Sequence, residues 1–161
     1  MKHLCTSFPK ISNTKYTEIG ELISSDVWGP ARIESLQHNL YYITYCDAAS
    51  HYTTVTFIRS RAEVAEKTER YDQWLKTQHG HGIRALRADN AREYTSGRLK
   101  EYMNKNGIDL QLTAPYSPSQ NGVAERLNRT LVEHAHAMLI AHNMPKYLWE
   151  EAVSYACYLY N

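Results

Sequence analysis

The sequence predicts an α/β fold, a mixed five-stranded sheet with helices on both faces. Three observations lead there. Residues 40–60, "LYYITYCDAASHYTTVTFIRS", are rich in Tyr, Ile, Thr, Val and Phe and break at small residues near Ala48–Ser50, as the two strands of a hairpin do. Residues 61–112 alternate helical and strand patterns, which requires crossovers and parallel neighbours. Beyond residue 118 the apolar residues recur at helical spacing only.

Taken in order, residues 1–20 carry Lys, Thr and Pro9 without a period and are expected to be a linker or arm. The domain proper is expected over 21–161. "ELISSDVW" (21–28), closed by Gly29 and Pro30, suits a first strand ending in a turn. After the hairpin, Val64, Ala65, Thr68, Tyr71, Trp74 and Leu75 recur at steps of three and four, and "HGHG" ends that helix. "IRALRAD" (83–89) alternates as a half-buried strand, with Asp89 at its carboxyl end. "TSGRLKEYMNKNG" (95–107) places Leu99, Tyr102 and Met103 on one helical face and Gly107 at a left-handed cap position. "IDLQL" (108–112) is the last strand. A loop with Pro115 and Pro118 leads to a helix striped by Val123, Leu127, Leu131, Ala135 and Met138, and a final helix from about Lys146 is anchored by Trp149, Val153 and Leu159.

The 161 residues fit one domain, and 18 Lys and Arg against 17 Asp and Glu leave a formal charge of +1. Any affinity for nucleic acid must therefore be local rather than carried by a strongly basic surface. Three cysteines at wide spacing, Cys5, Cys46 and Cys157, form no C-x-x-C pair, which points to reduced thiols and an intracellular setting and gives no structural zinc site. No apolar run is long enough to cross a bilayer. Both ends suggest a domain cut from a longer chain.

Three acids stand at element ends. Asp26 closes the first strand, Asp89 the fourth, and Glu125 is expected in the first turn of the helix after the proline loop. In open sheets, functional groups gather at the carboxyl ends of strands. Three carboxylates meeting there would repel unless divalent cations joined them, and an all-oxygen set favours Mg²⁺ or Mn²⁺ over zinc. Such a set is a candidate two-metal phosphoryl-transfer site, with ions about 3.5–4 Å apart. Each acid alone reads equally as a cap, a turn residue or a complement to a helix dipole. On the helix, Asn128 and Arg129 lie three and four residues beyond Glu125 and share its face. Arg129 is placed either to hold a substrate phosphate or to pair with Glu125 or Glu133.

"SDVWGP" around Asp26, "LRADNAREYTS" around Asp89 and "TAPYSPSQNGVAERLNRTLVE" around Glu125 resemble the core signature of copia-type retrotransposon integrases, and the 35 residues between Asp89 and Glu125 match the spacing of the integrase triad. The likeness runs from about residue 18 to 161. It departs in the hairpin, where "CDAASHY" has Ala48 and His51 in place of a second acid and an arginine, and after Asp89, where Ala91 and Arg92 replace a favoured pair of glycines.

The resemblance implies a ribonuclease-H-like fold and a polynucleotidyl transferase that trims the 3′ ends of element DNA and joins them to target DNA. It implies Asp26, Asp89 and Glu125 as catalytic residues and as ligands of two Mg²⁺ or Mn²⁺ ions. Candidate DNA contacts are Tyr116, Asn121, Asn128 and Arg129. The implied partners are element and target DNA and further copies of the chain in a dimer or larger oligomer, with no membrane. The implied setting is the nucleus and a cytoplasmic retroelement particle. The alternative is an inactive or host-adopted integrase-derived module that binds DNA or protein without catalysis.

Overall fold

The computed structural model describes residues 15–89, 91–95, 97–113 and 118–161, with side chains from Gly122 onward in the last segment. Five strands form one sheet in the order β3-β2-β1-β4-β5: β1 (Ile23–Trp28), β2 (Tyr41–Asp47), β3 (Thr53–Ile58), β4 (Ala85–Ala88) and β5 (Asp109–Leu112). β1 to β3 are antiparallel neighbours, and β4 and β5 add in parallel. Register follows from the alternation of β2. Ile43 and Tyr45 face one layer while Tyr42 and Cys46 face the other, so the strand is buried on both sides.

The first layer holds α1 (Val64–His79), the single turn α2 (Arg92–Thr95) and α3 (Gly97–Asn106). Their Val64, Tyr71, Leu75, Tyr94, Leu99 and Met103 pack on Ile23, Ile43, Tyr45 and Leu86. The entry to α1 is a short 3-10 turn, Arg61–Glu63, closed by a capping box: the Ser60 hydroxyl accepts from Ala62 N, and Glu63 Oε1 accepts from Ser60 N at 3.0 Å. Gly80, at φ 77°, ends the helix, and Gly107, at φ 66°, takes the left-handed position expected after α3.

The second layer is α4 (Pro118–Ala141) and α5 (Trp149–Tyr160). Leu127, Leu131 and Ala135 of α4 and Trp149, Val153 and Ala156 of α5 close over Tyr42 and Cys46. An aromatic seam binds this layer to the sheet: Trp28 stacks on Tyr42 at 5.2 Å, and Trp149 meets Trp28 at 5.7 Å and Phe57 at 5.8 Å.

Several expectations need correction. α4 begins at Pro118, whose fixed φ and missing N–H suit a first helical position, so the second proline belongs to the helix rather than to the loop. Glu125 therefore lies two turns in, not in the first turn. Gly122 also sits inside the helix. Trp74, Val123 and Leu159 remain 43, 51 and 59 % exposed, because each flanks the buried stripe of its helix. Tyr116 and the side chain of Asn121 lie outside the described residues.

Asp72 is a core residue that periodicity missed, fully buried on α1. Its carboxylate accepts from Ile83 N (2.7 Å) and the Tyr102 hydroxyl (2.7 Å) and pairs with Lys76 (2.6 Å), so one side chain ties α1 to α3 and to the start of β4. Asp72→Ala would leave the buried Ile83 N without an acceptor and remove the acceptor of the Tyr102 hydroxyl, while Lys76 keeps Asn106. It is expected to lower the unfolding free energy by about 3 kcal/mol, read from the urea midpoint.

Candidate active site

Contrary to expectation, Asp26 does not close β1: it is the fourth of the six residues Ile23–Trp28, on the α4 side, because the strand runs on to Trp28 before Gly29 turns it. It is positioned by two neighbours. On one side the antiparallel register sets it opposite Thr44, whose hydroxyl donates to the Asp26 carbonyl at 3.3 Å. On the other, the parallel register pairs Ile23 with Leu86 and Ser24 with Arg87. Carried two residues further, it brings Asp89, the residue after β4, level with Asp26. Glu125 arrives from the third element, because α4 crosses β1 with Leu127 and Leu131 pressed inward. Glu125 stays exposed beside them.

The Asp26 carboxylate is held from two directions: Oδ1 accepts from Val27 N at 2.9 Å, and Oδ2 accepts from Asn128 Nδ2 at 2.8 Å. Burial pushes its pKa above the ordinary aspartate value. The two hydrogen bonds oppose that rise, and the charges of Asp89 and Glu125 add to it. Asp89 makes a local turn, with Oδ1 accepting from Ala91 N at 3.1 Å.

Asp26 and Glu125, but not Asp89, line a groove of about 670 Å³. Asn128 and Arg129 line it as well, with Gly29 and Pro30 at one end. Gly29 is required there. At φ 126° a Cβ would come within 2.7 Å of the Leu40 carbonyl oxygen, and the chain turns in that space so that Ala31 N can reach the same oxygen. Arg129 does not bridge to Glu125. Its nearest acid is Glu133, at 4.0 Å with both side chains exposed, a weak pair that leaves the guanidinium facing the groove. Arg126, which the sequence reading passed over, folds back so that Nη1 lies 2.9 Å from where a Gly122 Cβ would stand. A glycine four residues before an arginine was the available signal.

The donors suit a hard divalent ion: carboxylate oxygens from two strands and a helix, plus the Asn128 Oδ1, which is buried and has no partner among the described residues. As placed, no three acidic, imidazole or thiol groups among the described residues are gathered closely enough to clamp one ion. Asp26 is engaged with Asn128, so joint coordination requires side-chain rotation about a fixed backbone frame.

A sign follows for stability. An aspartate whose folded pKa is raised holds its proton more tightly in the folded state, so its contribution is greatest at low pH and is lost as pH rises through the folded value. At neutral pH the charged Asp26 opposes folding. Asp26→Asn is expected to melt higher than the wild type at pH 7 without divalent ions, and the gap should close below about pH 4. Thermal denaturation at the two pH values checks this.

A mixed five-stranded sheet in the order β3-β2-β1-β4-β5, layered by helices on both faces, is the ribonuclease-H-like architecture of integrase cores. Residues 17–118 match the family model described as "Integrase core domain". The chain belongs to that family. Over 150 residues, 93 % of the chain, it is 39 % identical to the retrovirus-related Pol polyprotein from transposon TNT 1-94 of Nicotiana tabacum, and over 141 residues, 88 % of the chain, it is 30 % identical to that from transposon RE2 of Arabidopsis thaliana. It is also 28 % identical over 149 residues, again 88 % of the chain, to the Ty1-DR6 Gag-Pol polyprotein of Saccharomyces cerevisiae. These relatives place the chain among copia-type retrotransposon integrase cores. It spans 11, 10 and 8 % of their respective lengths. Among solved structures it superposes, with a TM-score of 0.70 over 94 % of the chain and 52 % of the other, on a chain of the simian T-cell lymphotropic virus intasome in complex with PP2A regulatory subunit B56 gamma. At 16 % identity that likeness speaks for the fold.

Proposed function

We propose that this domain is the catalytic core of a retrotransposon integrase, a metal-dependent polynucleotidyl transferase that trims the 3′ ends of element DNA and joins them to target DNA. The observation that carries the reading is the register of β1 and β4, which brings Asp26 and Asp89 level, together with Glu125 of α4 lining the same open groove as Asp26. Two Mg²⁺ or Mn²⁺ ions, when bound, would activate the attacking oxygen and stabilise the leaving one.

The chain's own residues supply the rest. Asp26 and Asp89 offer hard oxygens from adjacent strands and Glu125 from the helix, while Asn128 keeps the Asp26 carboxylate turned into the groove. Arg129, facing the same space, neutralises a phosphate on the strand being cut. In trimming, water attacks the phosphorus near the element end and the 3′ oxygen leaves with its proton restored. In joining, that 3′-hydroxyl attacks a target phosphodiester. One P–O bond forms as another breaks, so no external energy source is needed. DNA at both steps, and further copies of the chain to hold two element ends together, are the partners this chemistry requires. The nucleus and a cytoplasmic retroelement particle are where those substrates occur.

The test is reversal of strand transfer on a branched DNA substrate, which asks least of regions beyond the core. Resolution of the branch in Mn²⁺, abolished by a chelator, is expected. No resolution, together with no Asp26-dependent heat of Mn²⁺ binding, would leave a non-catalytic binding module instead.

A further inference from the structure

We propose that the cleft between α4, the segment following β1 and the start of α5 binds an unpaired nucleotide strand that runs on from the carboxylate groove. This rests on the integrase-core reading and adds a substrate subsite to it.

The face of α4 that bears Glu125 and Arg129 continues at helical steps through Val132 and His136 to Leu139 and Ile140. Residues up to Glu133 line the groove beside Asp26. His136, Leu139 and Ile140 line a second cleft, of about 560 Å³. Trp28 and Pro30 belong to both, so the two spaces share a wall. From Glu125 to His136 the helix rises about 17 Å. At a rise of about 3.4 Å per nucleotide for a stacked strand, roughly five nucleotides cover that distance, and fewer if the strand is extended.

The chemistry of the cleft changes along this path. Its walls include Trp28, Trp149, Ala31 and Ile33, and no carboxylate lines it. Arg32 and Lys146 line it as well, both exposed, and neither takes part in an ion pair among the described residues. Aromatic and apolar walls bury base faces, and free cations at the edge receive phosphates. An unpaired strand presents both groups, whereas a duplex keeps its bases stacked inside. A protein segment would also suit the walls, since Ile140 and Ile33 are 80 and 47 % exposed. Continuity with a groove suited to DNA and the two unpaired cations favour the polyanion.

The probes are a fluorescein-labelled blunt duplex and the same duplex with a 5′ extension of about five thymidines, titrated in Mg²⁺ and read by anisotropy. The extension is expected to tighten binding about tenfold. The double variant Arg32→Ala, Lys146→Ala should erase that gain and leave blunt-duplex affinity within about twofold. A 5-iododeoxyuridine at the extension's end should photocrosslink to peptides containing Trp28, His136 or Trp149. Equal affinity for the two duplexes, equal loss for both in the variant, or crosslinks mapping elsewhere would overturn the proposal. So would absence of a tail effect combined with Ile140→Glu dispersing a self-associated form in light scattering, which marks a protein interface. Branch resolution is measured in the same preparations. If it persists without a tail effect, this subsite alone fails; if it is absent along with all DNA binding, the integrase reading fails too.

Discussion

Glu125→Gln is expected to cut branch resolution and strand transfer by about a thousandfold or more, which corresponds to roughly 4 kcal/mol of lost transition-state stabilisation. The change keeps the shape of the side chain and removes one negative charge. Because Glu125 is exposed on α4 beside, and not within, the row formed by Leu127, Leu131 and Ala135, unfolding free energy should stay within about 0.5 kcal/mol of the wild type. Stability and activity thereby separate. Any rise in melting temperature that Mn²⁺ gives the wild type should be lost in the variant, because a ligand that binds the folded state stabilises it by mass action. Full activity in Glu125→Gln would remove this residue from the chemistry.

The largest effect on stability is expected from Trp149→Ala. Trp149 is 7 % exposed, meets three other rings, and donates its indole N–H to the Ile33 carbonyl at 3.0 Å. Truncation opens a cavity between α5 and the sheet and removes the donor to the Ile33 carbonyl. The cost should be about 3–5 kcal/mol, a fall in melting temperature of roughly 10 °C or more in calorimetry. Trp149→Phe should recover part of this by refilling volume without restoring the hydrogen bond. The loss reaches the groove as well, because Trp28, which Trp149 supports, forms a wall beside Asp26.

Strands and long helices were legible because their signals are local. The β-branched and aromatic run over β2 and β3 and the glycine after α3 each act within a few residues, and each appears where its pattern lies. The acids were legible as candidates, since strand ends can be read from alternation. What escaped depends on three-dimensional neighbours. Asp72 is buried because Ile83, Tyr102 and Lys76 converge on it from separate places, which no period in α1 encodes. Asn128 was singled out for sharing a face with Glu125, yet its observed partner is Asp26, 102 positions earlier. Trp74, Val123 and Leu159 were misjudged for the opposite reason, because helical spacing marks a face but not how wide a strip of it the sheet covers. The start of α4 was placed late because a second proline read as loop, although a proline at a helix's first position costs no hydrogen bond.

The sheet also has a quiet end. Asp47 pairs with Ile23, three residues before Asp26 along β1, so the turn holding Ala48 and His51 sits roughly 10 Å away from the acid-bearing tip. There Asp47 binds Gly20 N, Ser50 N and the Ser50 hydroxyl, making a self-contained knot. The two departures from the family pattern found in that turn, Ala48 and His51, thus sit on a hydrogen-bonded turn displaced along the sheet from Asp26.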